Sequence, residues 1–278
     1  MKRYRIFNCD FDSRALILAE EQEWTSEIRE QWQDSISKIK EGLIAEFGVN
    51  NATIKIGNFI DLGPAPFSVV SFHNKFFAQI RYAFTIGAYY PALTGACCLG
   101  ERILNHLILG LRDDYKKTAE YKKVYRKDSI DNWDLAIKTL ESWEILLPDV
   151  VGWFRELKGF RDRMIHFTLD TDKDDRQLSL SVIKKLAQII DGQFPGSQFA
   201  VLRAPWFIEG IPGESYIKKS WENNPFVKRI YLPNCRLVGF QHKVVQLLPK
   251  LIVNDDFPYK AEKISDSEFA ELRNSVIS

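Results

Sequence analysis

Residues 91–115 read PALTGACCLGERILNHLILGLRDDY, and they carry the strongest indication of fold class in the chain. Apolar side chains recur there every three to four residues, the spacing that lines one face of an α-helix. Pro91 suits the first turn of such a helix, because the N–H that proline lacks would be unpaired there. The predicted buried face consists of Leu93, Ala96, Cys97, Gly100, Leu104, Leu107, Ile108 and Leu111. The stretch therefore predicts a long helix packed inside a helical protein.

Four further segments with helical character accompany this one. The five predicted helices are residues 72–90, 91–115, 133–147, 148–167 and 176–192. Asn132 suits an N-cap for the third helix, and Pro148 suits the first turn of the fourth. Gly192 predicts the end of the fifth helix, because glycine commonly stops a helix. Five helices suffice for a bundle, which we predict over residues 67–193.

The regions on either side of the predicted bundle differ from it in their predicted secondary structure. Residues 1–66 combine a polar helix, predicted over residues 13–47, with two strand-like stretches at 2–8 and 52–60. Beyond the bundle, strands are predicted at residues 198–208, 226–234 and 235–240, followed by a helix at 265–276. We therefore predict a mainly α protein in three parts: a strand-containing N-terminal segment (1–66), a helical bundle (67–193) and a mixed α+β C-terminal region (194–278).

Composition limits which binding partners and which cellular compartment are expected. The net charge is +1, so attraction to nucleic acid would have to come from a local basic patch. The four cysteines form neither a CxxC pair nor a metal-ligand cluster, and the N-terminus has no apolar signal sequence; we expect a cytoplasmic protein without metal or cofactor. Residues 82–100 are uncharged and long enough to cross a membrane, but Pro91 interrupts them. We predict two buried helices there and no membrane span.

Sequence motifs narrow the chemistry further. No GxGxxG, GxxxxGK[ST], HExxH or GxSxG pattern is present, which argues against dinucleotide, P-loop, zinc-protease and serine-hydrolase sites. Arg161 and His166 stand five residues apart in RDRMIH, inside the fourth predicted helix. An arginine fork matches phosphate geometry, and histidine exchanges protons near neutrality, so the pair could cleave an RNA phosphodiester without a metal. A second pair, Arg236 and His242, lies in a strand-like segment and is predicted to be structural.

With this motif on a helical background, residues 67–193 resemble the HEPN superfamily. Its members are small helical bundles that carry an Arg, four to six further residues and a His, usually with a polar residue directly after the Arg. Asp162 occupies that polar position here. Residues 91–108 are similar to the second core helix of the family, with the acidic residue Glu101 facing the motif. The resemblance implies an HEPN-like helical bundle.

The resemblance also implies metal-independent RNA cleavage. Arg161 would stabilise the scissile phosphate, and His166 would act as general base or acid on the 2′-hydroxyl. Asp162 would orient one of them, and the product would carry a 2′,3′-cyclic phosphate. Active members commonly form dimers in which two Arg/His pairs face one cleft, and many belong to toxin–antitoxin or antiviral systems. The implied partners are RNA, a second copy of the chain and an antitoxin or regulatory protein.

Helix geometry keeps a second interpretation open. Five residues along a continuous helix rotate by about 500°, so the side chains of Arg161 and His166 would point about 140° apart. The two converge if the helix starts or bends between them, which Gly159 would permit, or if a partner subunit supplies one of them. The alternative is a non-catalytic HEPN-like module that dimerises or binds a nucleotide or a protein. In that case Arg161 is a surface charge and His166 a packed structural residue.

Several polar residues near the motif have two interpretations each. Glu101 and Asn105 lie one helical turn apart and share a face. They either contact Arg161 and line the cleft, or form a polar network that fixes helix register. Arg163 is either an accessory phosphate contact or a solvated charge. His106 falls on a different face and is predicted to pack between helices.

The segment 112–127 interleaves cations with tyrosines. Cations attract the phosphate backbone and aromatic rings stack on unpaired bases, which is how single-stranded RNA is often bound. The candidate RNA contacts are Lys116, Lys117, Tyr121, Lys122, Lys123 and Arg126. Nearby acidic residues dilute the positive charge, so an ordinary solvated face remains the other interpretation.

Overall fold

The computed structural model of the chain describes residues 5–6, 14–19, 26–165, 174–196, 204–208, 215–234, 237–238, 243–246, 252–254 and 265–277. Its helices are α1 Arg14–Ala19, α2 Ser26–Phe47, α3 Ala52–Leu62, α4 Ser71–Thr85, α5 Tyr89–Leu111, α6 Tyr121–Val124, α7 Trp133–Ser142, α8 Pro148–Ile165, α9 Asp175–Gln193, α10 Leu232–Asn234 and α11 Asp266–Ile277. Its strands are β1 Arg5–Ile6, β2 Ser215–Tyr216, β3 Leu237–Val238, β4 Lys243–Gln246 and β5 Ile252–Asn254. The prediction of a mainly helical protein is confirmed.

Helix α5 forms the centre of the bundle, as its apolar spacing predicts. Helices α4, α7, α8 and α9 pack around it, and every residue of its predicted face is buried. Burial of each leucine or isoleucine contributes about 1.5–3 kcal/mol, so this one helix supplies a large share of the core. Pro91 lies in the first turn of α5, as predicted, but α4 ends at Thr85, five residues before the predicted end, and α5 begins at Tyr89. Among the described helices, none is long and apolar enough to cross a membrane.

Helices α7 and α8 begin where the sequence predicts. The side chain of Asn132 accepts a hydrogen bond from the N–H of Leu135 at 2.9 Å and so caps α7. Pro148 is the first residue of α8. Helix α7 ends earlier than predicted, at Ser142, because the chain turns at Glu144, whose φ of 54° is left-handed.

Two glycines allow close approaches between helices. A Cβ atom at Gly100 of α5 would lie 2.7 Å from Leu157 and 3.0 Å from the Trp133 ring. A Cβ atom at Gly192 of α9 would lie 2.6 Å from the ring of Trp153. Helix α9 ends at Gln193, one residue after the predicted stop at Gly192. The glycine also makes room for a tryptophan of α8.

The second strand predicted in the N-terminal segment is wrong. Residues 52–60 lie in α3, where Ile56, Phe59 and Leu62 follow one another at helical spacing. Isoleucine and threonine suggest a strand locally, but the apolar face of this helix packs on α1, α2 and α4. Asn51, with φ of 55°, turns the chain into α3.

A buried asparagine ties α3 to the bundle. The Nδ2 of Asn58 donates to the carbonyl oxygens of Phe84 and Thr85, both at 3.2 Å, at the end of α4. Its Oδ1 accepts from Nε of Arg176 at 2.9 Å, at the start of α9. Arg176 also pairs with Asp61 of α3. Helices α3, α4 and α9 therefore share one polar junction.

The strand predicted at residues 226–234 is also wrong. The π-helical turn Val227–Tyr231 leads directly into α10 there. The apolar residues Phe226, Val227, Ile230 and Tyr231 are buried at three-to-four spacing, which suits a helix and not an alternating strand. Asn224 starts this turn, because its Oδ1 accepts from the N–H of Phe226 at 3.0 Å.

The strands in the described part of the chain are only two to four residues long. β1 pairs antiparallel with both β2 and β3, and β4 pairs with β5. Pairings this short do not amount to the predicted strand-containing segment or mixed α+β region. Within the described residues, the structure supports the helical class alone.

Candidate functional site

Arg161 lies near the end of α8 and is held by groups from three elements. Its Nη2 is 3.6 Å from Oε2 of Glu101 on α5, and its Nη1 donates to Oδ1 of Asp162 at 3.4 Å. Its guanidinium carbon lies 5.5 Å from the centre of the Trp133 ring, a cation–π distance. The side chain is 26% exposed, so one edge still faces solvent. The structure thus brings together Arg161, Asp162 and Glu101, as the resemblance implies.

Trp133 fixes the position of Glu101, and sequence reasoning missed it. The indole Nε1 of Trp133 donates to Oε2 of Glu101 at 2.9 Å, the same oxygen that faces Arg161. Trp133 is buried, so its N–H needs an acceptor inside the protein. The available signal was its place directly after the N-cap Asn132, which puts it at the start of a helix facing the core.

A lysine completes the charged cluster. Lys158 lies one turn before Asp162 and donates to its Oδ2 at 2.7 Å, and it also pairs with Asp134 at 3.3 Å. The Lys158 ammonium, with a smaller contribution from Arg161, holds the pKa of Asp162 below its usual value. Asp162 therefore stays ionised and acts as a hydrogen-bond acceptor and counter-charge, not as a proton donor.

The motif helix has no break as far as Ile165, so a bend before that residue is not what brings the motif side chains together. Helix α8 runs without interruption through Gly159 and Arg161, and Gly159 keeps a helical conformation. The predicted catalytic His166 lies outside the described residues, as do Arg236 and His242 of the second pair. Of the Arg161–His166 pair, the structure therefore describes only Arg161.

The hydrogen bonds of Arg163 and Asn105 go to backbone groups and not to the charged side chains of this cluster. Arg163 is exposed; its Nε donates to the carbonyl of Gly159 at 3.3 Å, and its guanidinium lies 4.9 Å from the Phe160 ring centre. Asn105 donates to the carbonyl of Ile130 at 2.9 Å and accepts from the N–H of the same residue at 2.6 Å. This pairing fixes the loop before α7, which fits the polar-network interpretation of Asn105, one of the two left open by the sequence.

The two described histidines pack between helices. His73 is fully buried, with its Nδ1 2.8 Å from Oγ of Ser68 and its ring in edge contact with Phe72 and Phe194. Burial lowers the pKa of His73 to about 3, so it stays neutral in any ordinary buffer. His106 also contacts Phe72, and burial lowers its pKa too. The packing role predicted for His106 agrees with this position.

A cavity lies elsewhere, where α2, α3 and α4 meet. It has a volume of about 500 Å³, and its lining includes the aromatic side chains of Phe47, Phe59, Phe77 and Tyr82. Arg81 lines it as well, and its Nη2 donates to the carbonyl of Gly63 at 2.7 Å. No pattern in the sequence indicated this cleft, because its walls come from distant segments.

Comparisons with protein-family models, with curated proteins and with solved structures found no match to this chain. The relationship to the HEPN superfamily therefore stays a resemblance carried by the motif and its helical setting.

Proposed function

We propose that this protein is a metal-independent endoribonuclease with an HEPN-like bundle, in which Arg161 and His166 carry the reaction. The observation that supports this most is the contact between Glu101 and Arg161. The resemblance implied that an acidic residue of the second core helix faces the motif arginine. Sixty residues separate the two along the chain, and only a bundle that packs α5 against α8 brings them together.

The cluster gives Arg161 the properties that the proposed reaction needs. Two carboxylates and an indole ring hold its guanidinium in one orientation, which lowers the entropy lost when a phosphate binds. The solvent-facing edge leaves N–H donors for a phosphoryl oxygen. Because the arginine is positioned before substrate arrives, it can stabilise charge that develops on the phosphorane without reorganisation.

The proposed chemical steps balance without a co-reactant. His166 takes the proton of the 2′-hydroxyl while the 2′-oxygen attacks the adjacent phosphorus. The bond from phosphorus to the 5′-oxygen breaks, and that oxygen takes a proton from a general acid. The products are a 2′,3′-cyclic phosphate and a 5′-hydroxyl. Arg161 stabilises the charge on the non-bridging oxygens, and Asp162 keeps the arginine oriented.

Dimerisation forms part of the proposal. On a continuous helix, residues five apart point about 140° away from each other, and α8 is continuous through Arg161. This favours a composite cleft in which His166 of one protomer works with Arg161 of the other. A role in prokaryotic toxin or antiviral defence, with a neutralising antitoxin or regulatory protein, follows from the resemblance.

The test is RNA cleavage in EDTA with the product ends mapped. The substrate is a mixed pool of single-stranded and structured RNA, and the variants are Arg161→Ala and His166→Ala. Loss of either group is expected to lower the rate by at least about 100-fold. Arg155 lies on α8 like Arg161 and forms an exposed ion pair with Glu141 of α7; Arg155→Ala is the matched control and should cleave normally. Cleavage by both active-site variants at the parent rate would reject the proposal.

A non-catalytic module that dimerises or binds a nucleotide or a protein is the second candidate. The same contacts favour it in one respect: two carboxylates and a tryptophan already occupy much of Arg161, as they would around a structural arginine. It predicts that the parent protein cleaves no RNA and that Arg161→Ala lowers stability. The unfolding midpoint in urea, measured beside the cleavage assay, distinguishes the two candidates.

A further inference from the structure

The segment 112–127, which we call the connector, is rigidly attached to the bundle. Nη1 of Arg112 donates to the carbonyl oxygens of Val124 at 3.1 Å and Lys127 at 2.6 Å, which closes the segment on itself. The Tyr115 ring stacks on Trp143 with 4.6 Å between ring centres and an angle of 6°. These contacts hold the connector backbone in one conformation.

Two of the three acidic residues in the connector form ion pairs in the folded chain. The sequence gives it seven cations and three carboxylates. Asp114 pairs with Arg229 at 2.7 Å, and Asp113 pairs with Lys116 at 3.5 Å, so Glu120 is the carboxylate left. The remaining exposed cations have no carboxylate within ion-pair distance in the described part of the chain. They are Lys117, Lys122, Lys123, Arg126 and Lys127.

Aromatic rings lie among these cations. Tyr121 and Tyr125 stack with 5.5 Å between ring centres, and the guanidinium of Arg126 lies 5.0 Å from the Tyr125 ring. Tyr125 remains 38% exposed, one of the few large apolar side chains that face solvent. A ring beside several free cations provides a stacking surface for a base next to donors for the backbone phosphates.

We propose that the connector is a binding surface for single-stranded RNA. The proposal rests on the ribonuclease function and identifies where the substrate is held. Glu101 and the start of the connector are separated by about ten residues of α5, or about 15 Å along the helix. Asn105 ties the loop that follows the connector to the same helix, one turn from Glu101. The start of the connector is therefore separated from Glu101, the partner of Arg161, by a length that a few nucleotides can span.

Binding is tested apart from cleavage with a fluorescein-labelled 2′-O-methyl oligouridylate, which lacks the attacking hydroxyl. Its affinity for the full chain is measured by fluorescence anisotropy over a range of salt concentrations. The connector variant is Lys117→Ala, Lys122→Ala and Lys123→Ala combined. The control combines Lys40→Ala, Lys138→Ala and Lys184→Ala, exposed lysines on α2, α7 and α9 that give the same change in net charge.

The connector variant should bind roughly 100-fold more weakly at about 0.1 M salt. Each lost phosphate contact reduces, by about 0.7, the magnitude of the slope of log binding constant against log salt concentration. The slope of the connector variant should fall by about two, while the control variant keeps the parent's affinity and slope. Equal losses in both variants, or a parent that does not bind the oligouridylate, would overturn the proposal. A parent that binds through the connector but cleaves no natural RNA would support this inference while rejecting the ribonuclease.

Discussion

Glu101 and Trp133 share a hydrogen bond of 2.9 Å between the carboxylate of α5 and the indole N–H of α7. The same carboxylate oxygen faces Arg161, so one atom links the core of the bundle to the charged cluster. Trp133 is only 2% exposed, so its indole N–H depends on this carboxylate as its acceptor within the protein. The bond therefore makes the position of the arginine depend on the packing of the core.

Glu101→Ala should lower the free energy of unfolding by about 1–3 kcal/mol, because it leaves the buried indole N–H of Trp133 without an acceptor. Glu101→Gln keeps an acceptor oxygen and should cost less than about half of that. Urea unfolding, followed by tryptophan fluorescence, measures both. Glu141→Ala removes an exposed partner of Arg155 and is the control, with an expected change below about 1 kcal/mol. Equal values for the alanine and glutamine variants would contradict the assigned hydrogen bond.

Gly100→Ala should lower the free energy of unfolding by about 1–3 kcal/mol, since its Cβ would meet Leu157 and Trp133 at or below 3.0 Å. Gly159→Ala is the opposite case, because nothing lies within 4 Å of a Cβ there and α8 is regular. It should stabilise the protein by about 0.5–1 kcal/mol through helix propensity. Thermal unfolding of both variants checks the pair. A destabilising Gly159→Ala would instead mean that this glycine bends the helix.

Acid should destabilise the protein through His73. Its pKa is about 3 in the folded chain and close to 6.5 in the unfolded chain. Between these values the unfolded state binds the additional proton, so the contribution is fully present above about pH 6.5 and declines as the pH falls toward about 3. This histidine alone gives a slope of up to about 1.4 kcal/mol per pH unit. NMR titration of the imidazole measures the shift directly; a midpoint near 6.5 in the folded protein would contradict it.

Arg161→Lys should retain the fold but lose at least about tenfold in RNA cleavage, since lysine keeps the charge without the planar fork. Glu101 and Asp162 can still pair with the ammonium, so the unfolding midpoint should change little. A cleavage rate measured in EDTA, beside the Arg155→Ala control, tests this. Full activity in the lysine variant would indicate that Arg161 acts only as a positive charge.

Much of the bundle is predictable from local patterns. The buried face of α5, the cap at Asn132, the place of Pro91 in a first turn and the start at Pro148 all follow from spacing and from the hydrogen-bonding groups of single residues. These features depend on residues within about one helical turn of each other, and such residues are neighbours in the sequence. The contact of Glu101 with Arg161 was anticipated through the resemblance and not through the spacing.

What could not be predicted depends on tertiary contacts. Residues 52–60 form a helix although their isoleucines suggest a strand, because packing on α4 outweighs local preference. Gly192 lies one residue before the end of α9, but it also makes space for Trp153, a residue nearly forty positions away. Trp133 and Lys158 join the candidate site for the same reason: their partners are known only after the helices are packed.

The junction at Asn58 has a consequence for how this bundle can be inherited or transplanted. The motif region, residues 67–193, looks like a portable module, yet the carbonyl groups of Phe84 and Thr85 and the guanidinium of Arg176 take their partner from α3. In a gene fusion that carried the motif region alone, these groups would lose their hydrogen bonds to Asn58, and Arg176 would lose its ion pair with Asp61. Recombination that preserves the fold must therefore keep α3 with the bundle, and any shuffled copy should have its boundary upstream of Ala52.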